Sequence, residues 1–446
     1  MKALNRSRPI RTTRSGSRLA LEGREIIGYS RQGRPLAVEL GGDPAASQRI
    51  LIIAGQHGDE SDGRHAAATY LAEMQPASAS IAVLCDCNPD GAALATRRNA
   101  AGADLNRDHL LLLEPETAAL HKFVRRWQPH LVIDVHTYRS WRPELLKHNL
   151  VFAQDVMIDF PTNPAARSDW SDELDEGLLQ RMTRHMAHRG YSCDRYTLVR
   201  PPGMVRHSTV DIIDARNSLA LRYGAYAVLI EGKRSTADDP DASSQSSGVI
   251  REAIQVAVDW AQQNAGILER HRSALKQRRK FIPVACRYEG AGLRIRRMRM
   301  QSATTGDIRW RELPGEYLSL VRVTRKIDPP RAYAVQRCAS PLLRALQRQG
   351  IRTIPSSVLK GSPVDVFEVI AAPTAAGNED YWHPPQIACR REYVNPDQYV
   401  VFDADQPGLG ALCLLVDPAS QFGAHRFHEL RLNLKPGALY PIARCK

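Results

Sequence analysis

The stretch "LIIAGQHGDESDG", from Leu51 to Gly63, passes within a few residues from an apolar run to His57, Asp59 and Glu60. His57 and Glu60 stand three apart, a spacing that lets an imidazole and a carboxylate converge on one ion, and that donor pair is common at zinc. A second apolar stretch, "HLVIDVHTY", ends in another histidine, His136. Two histidines and one glutamate leave one position of a tetrahedral zinc open, the arrangement of a catalytic ion that activates water. Asp134, two residues before His136, could orient a ligand from behind. Taken singly, each pattern also fits a solvated loop or a core histidine with a satisfied hydrogen bond. Their coincidence at the polar ends of two apolar strands is what points to a metal.

A third apolar run, "YAVLIEGKR", carries Glu231. Such a glutamate can simply mark the end of a strand. Beside an activated water it would be the general base that takes a proton and returns it to a leaving amine. Between the first two strands lies "NPDGAALATRRNAAGADLNRDH", in which Arg97, Arg98, Asn106 and Arg107 crowd a glycine-containing loop. Arginine grips carboxylates with two parallel hydrogen bonds and keeps its charge at any relevant pH, so this loop beside a metal points to a substrate with a free carboxylate.

These residues need a scaffold that brings strand ends together. Near-continuous apolar strands at 49–55, 80–86, 130–136 and 225–231, several separated by helix-compatible segments, predict an α/β fold. Its centre is a mixed, mostly parallel sheet covered by helices on both faces. Ligands of such sheets collect at the carboxyl ends of the strands. Residues 25–40 read as two short strands around a turn, and 247–280 as one long helix. Beyond it the pattern turns β-rich, in "GLRIRRMRM", "YLSLVRVTRKI", "DVFEVIAAP" and "LGALCLLVDP", with one helix in "SPLLRALQRQG". The expected organisation is a disordered basic tail over 1–20, a catalytic domain over 21–280 and a β-rich accessory domain over 281–446.

The motifs "GYSRQGRPL", "HGDE", "NPDG", "RRN…GADLNRD", "DVHTY" and "LIEGK" follow one another as they do in the zinc carboxypeptidase family, which residues 25–265 resemble. That resemblance implies His57, Glu60 and His136 as zinc ligands, Glu231 as general base, and Asn106 with Arg107 as the grip on the terminal carboxylate. It implies Arg97 as the cation that stabilises the developing oxyanion, with Arg98 as the fallback. Digestive members carry a mobile tyrosine about two dozen residues before the glutamate, where this chain has "GMVRHSTVD". His207 could fill that place, or be an ordinary loop histidine. Arg216 falls about fifteen positions before Glu231, where the family sets its specificity. Either it forms a cationic pocket floor for an acidic terminal side chain, or it starts a helix and pairs with Asp211 or Asp214. The segments "PPRAYAVQR", "QRQGI", "DADQPGLGALCLLVDPAS" and "YPIAR" are similar to the tail of larger bacterial members.

The net charge of +13 lies entirely in the second part: residues 1–265 hold 32 Lys and Arg against 32 Asp and Glu, and 266–446 hold 29 against 16. Eleven of those cations fall between Arg270 and Arg299. A patch of this kind attracts polyanions at low salt, but it has few aromatics on which bases could stack, so nucleic acid is the disfavoured partner and a solvated face the simpler reading. No apolar run reaches roughly eighteen residues and the basic start lacks an apolar middle, which predicts no membrane span and a cytoplasmic protein. Eight cysteines without a C-x-x-C pair predict reduced thiols, with Cys85 and Cys87 on one face of a strand. Three functions fit, in falling order. The first is a zinc carboxypeptidase acting on a peptide with a free C-terminal residue, an acidic one where Arg216 forms the pocket floor. The second is an N-acyl amino acid amidohydrolase of the aspartoacylase and succinylglutamate desuccinylase type. The third is a non-catalytic polyanion-binding protein.

Overall fold

The computed structural model describes residues 23–74, 77–200, 203–235, 240–290, 292, 295–375 and 382–446. The expected tail over 1–20 lies outside them. At the centre is an eight-stranded sheet built from β1 (Gly23–Tyr29), β2 (Pro35–Gly42), β3 (Arg49–Ala54), β4 (Ser80–Leu84), β5 (Leu131–Tyr138), β6 (Val156–Asp159), β7 (Cys193–Arg195) and β8 (Tyr226–Lys233). Its spatial order is β1-β2-β4-β3-β5-β8-β6-β7. The four inner strands β4, β3, β5 and β8 run parallel, β1 and β2 pair antiparallel with their neighbours, and β6 pairs antiparallel with β8 and parallel with β7.

Both faces of the inner strands are covered, which is why their sequences are apolar without alternation. Leu51 and Ile53 point into one cluster, and Ile50 and Ile52 into the other. The second cluster is closed by Leu174 and Leu178 of the helix Ser171–His188 and by Ile250, Ile254 and Trp260 of the helix Pro240–Gln263. Each Leu or Ile buried in this way contributes about 1.5–3 kcal/mol over an exposed one. The first cluster runs without interruption from Leu51 and Leu84 through Leu219 and Ala220 to Val335, Phe402, Leu412 and Leu415. Residues before and after 281 therefore share one core.

The β-rich region after 281 includes a six-stranded sheet formed by Thr353–Ile354, Tyr399–Asp403, Ala332–Gln336, Ile442–Cys445, Val364–Ala371 and Gln386–Glu392. Two of its other strands extend the walls of the first part. Arg297–Ser302 pairs with Leu150–Phe152, and Glu316–Leu318 pairs with Met204–Arg206. Much of the basic run is engaged within the molecule. Arg270 lies over the Trp170 ring, Arg278 and Arg279 donate to the carbonyls of Pro329, Pro330 and Arg167, and Arg296 pairs with Asp194.

Three local expectations are corrected. The run "LGALCLLV" is a helix, Leu409–Val416, not a strand. It is apolar because it is buried on all sides, and an apolar run with no polar face cannot be assigned by periodicity. The expected long helix is two, Pro240–Gln263 and Ala265–Lys276, broken at Asn264, whose side chain donates to the carbonyl of Trp260. Cys85 and Cys87 face opposite clusters because β4 ends at Leu84, so strand alternation does not reach them. All eight cysteines are free thiols. Among the described residues no helix is long and apolar enough to cross a membrane.

Candidate active site

The loop after β3 turns sharply because Gly58 has room for no side chain: a Cβ there would stand 2.1 Å from the backbone carbonyl carbon of Gly91. That contact packs the "HGDE" loop onto the short helix Pro89–Ala93, whose cap Asn88 also donates to the carbonyl of Gln56. Glu60 follows at the N-terminus of the helix Ser61–Ala72. Its carboxylate meets His57 Nδ1 at 2.8 Å, His136 Nδ1 at 3.1 Å and the backbone N–H of Thr137 at 3.0 Å. The two Nδ1 atoms lie 3.1 Å apart. All three side chains are buried, and one ligand atom from each falls within 4.8 Å of the others.

The outer nitrogens of both rings face carboxylates, His57 Nε2 to Asp104 and His136 Nε2 to Asp134, each at 3.1 Å. A carboxylate on the far nitrogen holds the N–H there and turns the Nδ1 lone pair inward, as a metal ligand requires. Two inward imidazole nitrogens and a carboxylate form a donor set that suits zinc. Burial alone would lower the pKa of both histidines, but Glu60 and their outer carboxylates raise it. Burial alone would raise Glu60, but His57 and His136 hold it far below the carboxylate range.

Glu231 sits on β8 directly across from His136 on β5. Its carboxylate makes no hydrogen bond to the described residues, and burial pushes it up to about 7, with Glu60 adding to the rise and His136 opposing it. Arg97 reaches the other side of the centre. Its Nε and Nη2 donate to Asp104 at 3.2 and 3.0 Å, and its Nη1 is 3.7 Å from Glu60. Asp104 thus ties Arg97 to His57 while also capping the turn Leu105–Arg107 through the N–H of Asn106. Asn106 Oδ1 accepts from the N–H of Ala215, and its Nδ2 lies 3.2 Å from His136 Nε2.

These groups line a cleft of about 830 Å³ whose walls come from residues between His57 and Arg234. Arg107 lies on it with its guanidinium bonded to the carbonyl of Asn106. Arg216 also reaches it, but it is buried and matched by Asp214 at 3.0 Å and Asp159 at 3.4 Å; Asp211 pairs with Arg426 instead. Two residues named from the sequence lie off the cleft. Arg98 donates outward to the carbonyl of Gly102. His207 is buried behind the wall, held between the carbonyl of Tyr196 and the hydroxyl of Tyr317, and burial pushes it down to about 4.

The structure adds residues that sequence reasoning passed over. Arg139, Trp141 and Arg142 line the cleft just after β5, and Tyr196 lines it near Glu231. Arg107, Arg139 and Arg142 form no salt bridge with the described residues, although Arg107 acts through space on Asp104 and Asp214, and Arg142 on Glu231. Asp104 and the arginines after "DVHTY" were within reach of the sequence, since they stand in or beside its motifs. Tyr317, from a strand 110 residues after His207, was not.

The family model for zinc carboxypeptidases matches residues 23–143. Carboxypeptidase 2 of Trichophyton rubrum is 29% identical over 149 residues, 33% of this chain and 25% of that protein. Murein peptide amidase A of Escherichia coli (strain K12) is 32% identical over 143 residues, 26% of this chain and 59% of that protein. A solved metallo-carboxypeptidase from Pseudomonas aeruginosa aligns over 56% of this chain and 66% of its own, at 20% identity and a TM-score of 0.42. The chain thus spans about a quarter of the length of Carboxypeptidase 2. The matched residues 23–143 carry His57, Glu60 and His136, so the part of the chain similar to zinc carboxypeptidases includes all three.

Proposed function

We propose that the protein is a zinc-dependent hydrolase that cleaves the amide bond next to a terminal residue bearing a free carboxylate, in a peptide or peptide-like substrate. The observation that carries this reading is the convergence of His57, Glu60 and His136, with Glu231 in register beside His136. Zinc held by His57, Glu60 and His136 would polarise the scissile carbonyl and acidify a water. Glu231 takes the proton from the attacking water and returns it to the leaving amine. A carboxyl near 7 suits both transfers at neutral pH. Arg97, aimed by Asp104, is the cation for the developing oxyanion, a role in which a fixed charge acts most strongly on the transition state.

Asn106 and Arg107 hold the substrate's terminal carboxylate. Arg216 is already matched by Asp159 and Asp214, so in this reading an acidic side chain of the substrate is met by Arg139 and Arg142 instead. An N-acyl amino acid would occupy a small part of an 830 Å³ cleft, and the size of the site favours a peptide. Turnover of a peptide ending in glutamate, of its C-terminally amidated form and of an N-acylglutamate tests the assignment. The free peptide should be hydrolysed, and amidation should abolish cleavage. Equal cleavage of the amidated peptide, or faster cleavage of the N-acylglutamate, would overturn it.

A further inference from the structure

Behind the centre, six buried polar side chains form one continuous hydrogen-bonded line. His136 Nε2 is 3.1 Å from Asp134 Oδ1, and Gln56 Nε2 donates to the same oxygen at 2.7 Å. Gln56 Oε1 is 2.6 Å from His109 Nε2, and His109 Nδ1 is 3.0 Å from His121 Nε2. His121 Nδ1 in turn is 3.0 Å from the hydroxyl of Tyr223. None of the six is more than 6% exposed. Buried polar groups require partners, but a single partner each would meet that need; a line of this length, ending on a ligand's far nitrogen, does more.

With both imidazoles neutral, one assignment of hydrogens satisfies the contacts along this line. A carboxylate oxygen accepts, so the Gln56 amide must present its nitrogen to Asp134 and its oxygen to His109. His109 must then carry its hydrogen on Nε2 and accept at Nδ1. His121 must likewise donate from Nε2 and accept at Nδ1 from Tyr223. From Tyr223 to Gln56 every donor points toward Asp134, which also accepts from His136 Nε2–H.

We infer that Gln56, His109, His121 and Tyr223 form a one-way positioning relay that locks Asp134 onto His136 Nε2 and so keeps the His136 Nδ1 lone pair aimed at the metal. The relay rests on the proposed role of His136 as a ligand. Its neutrality has a physical source: burial pushes His109 down to about 4 and His121 well below its usual value, and the nearby cation Arg222 acts in the same direction on both. Partners behind metal-bound histidines commonly change metal affinity by about 10- to 100-fold. His121 acts through three intermediates, which places its effect near the lower end.

Two measurements on the full chain test this. Long-range nitrogen–proton NMR correlations of the metal-free protein at pH 7 read the tautomers directly, and competition with a chelator reads zinc affinity. We expect His109 and His121 as neutral Nε2–H tautomers. His121→Phe should weaken zinc by about tenfold. His121→Gln, which keeps an N–H at the Nε2 position, should remain within about twofold of wild type. An Nδ1–H tautomer or an imidazolium at either position overturns the relay, including where His121→Phe does not fold, and so does wild-type affinity in a folded His121→Phe. Wild-type protein that binds no zinc while showing the expected tautomers would instead overturn the metal centre, and the relay's purpose with it.

Discussion

Glu231 and His136 face each other across two parallel strands, paired residue for residue in the register that runs from Tyr226 opposite Leu131 to Lys233 opposite Tyr138. The sheet itself therefore fixes the distance between the proposed base and a proposed ligand, with no loop between them. Sites carried on strands hold their geometry better than sites on loops.

Glu231→Gln follows from this placement. The amide keeps the volume and leaves His57, Glu60 and His136 untouched, so zinc content should equal that of wild type. Turnover should fall by about 10²–10⁴, the usual contribution of a positioned proton acceptor. Near-wild-type kcat in a zinc-loaded variant would remove Glu231 from the mechanism.

Asp104→Asn separates geometry from chemistry. Asp104 accepts from both Arg97 and His57, and the neighbouring cations hold its carboxyl well below the usual range even though burial opposes them. The asparagine can keep only part of this. Zinc affinity is expected to drop by about 10- to 100-fold, with a further loss of kcat in metal-saturated enzyme as Arg97 swings free. Unchanged values of both would show that Asp104 serves the loop alone.

Arg216 and Arg142 should behave differently. Arg216→Ala leaves Asp159 and Asp214 short of a buried partner, so it is expected to cost about 3–5 kcal/mol of stability and to lower turnover of acidic and neutral substrates alike. Arg142 lines the cleft and forms no salt bridge with the described residues, so Arg142→Gln should raise KM for acidic peptides more than for neutral ones. Steady-state kinetics on peptides ending in glutamate and in leucine, with urea unfolding beside them, separate the two patterns; selective loss in Arg216→Ala would restore it as the pocket floor.

His425 offers a stability test. It is buried with neither ring nitrogen hydrogen-bonded to the described residues, and burial pushes it down to about 3 in the folded protein. Its pKa is below the unfolded value of about 6.5, so on acidification the unfolded chain takes up the proton first, and stability present above that pH is lost as pH falls. His425→Leu should therefore gain on wild type below pH 6.5, by up to about 1.4 kcal/mol per pH unit. Urea midpoints at pH 7 and pH 5 that shift equally in both proteins would contradict this.

Much of the centre could be read from the sequence because the chemistry sits where apolar strands stop. His57, His136 and Glu231 each follow a run whose only reason to end is a change of environment. Arg216 kept two readings until its neighbours were known, since Asp159 comes from a strand 57 residues away. His109 and His121 carry no signal at all in one dimension. One follows the "LNRD" turn, the other lies inside the helix Pro115–Trp127, and only packing puts them 3.0 Å apart. The helix Leu409–Val416 was hidden for the opposite reason, because complete burial erased the polar face by which helices are recognised.

The most direct measurement is zinc content of the purified protein by elemental analysis, with His57→Ala alongside. Wild type should hold about one zinc per chain, in keeping with one three-ligand site, and the variant should lose it while the fold persists. No zinc in wild type after incubation with the metal, or equal zinc in His57→Ala, would contradict it.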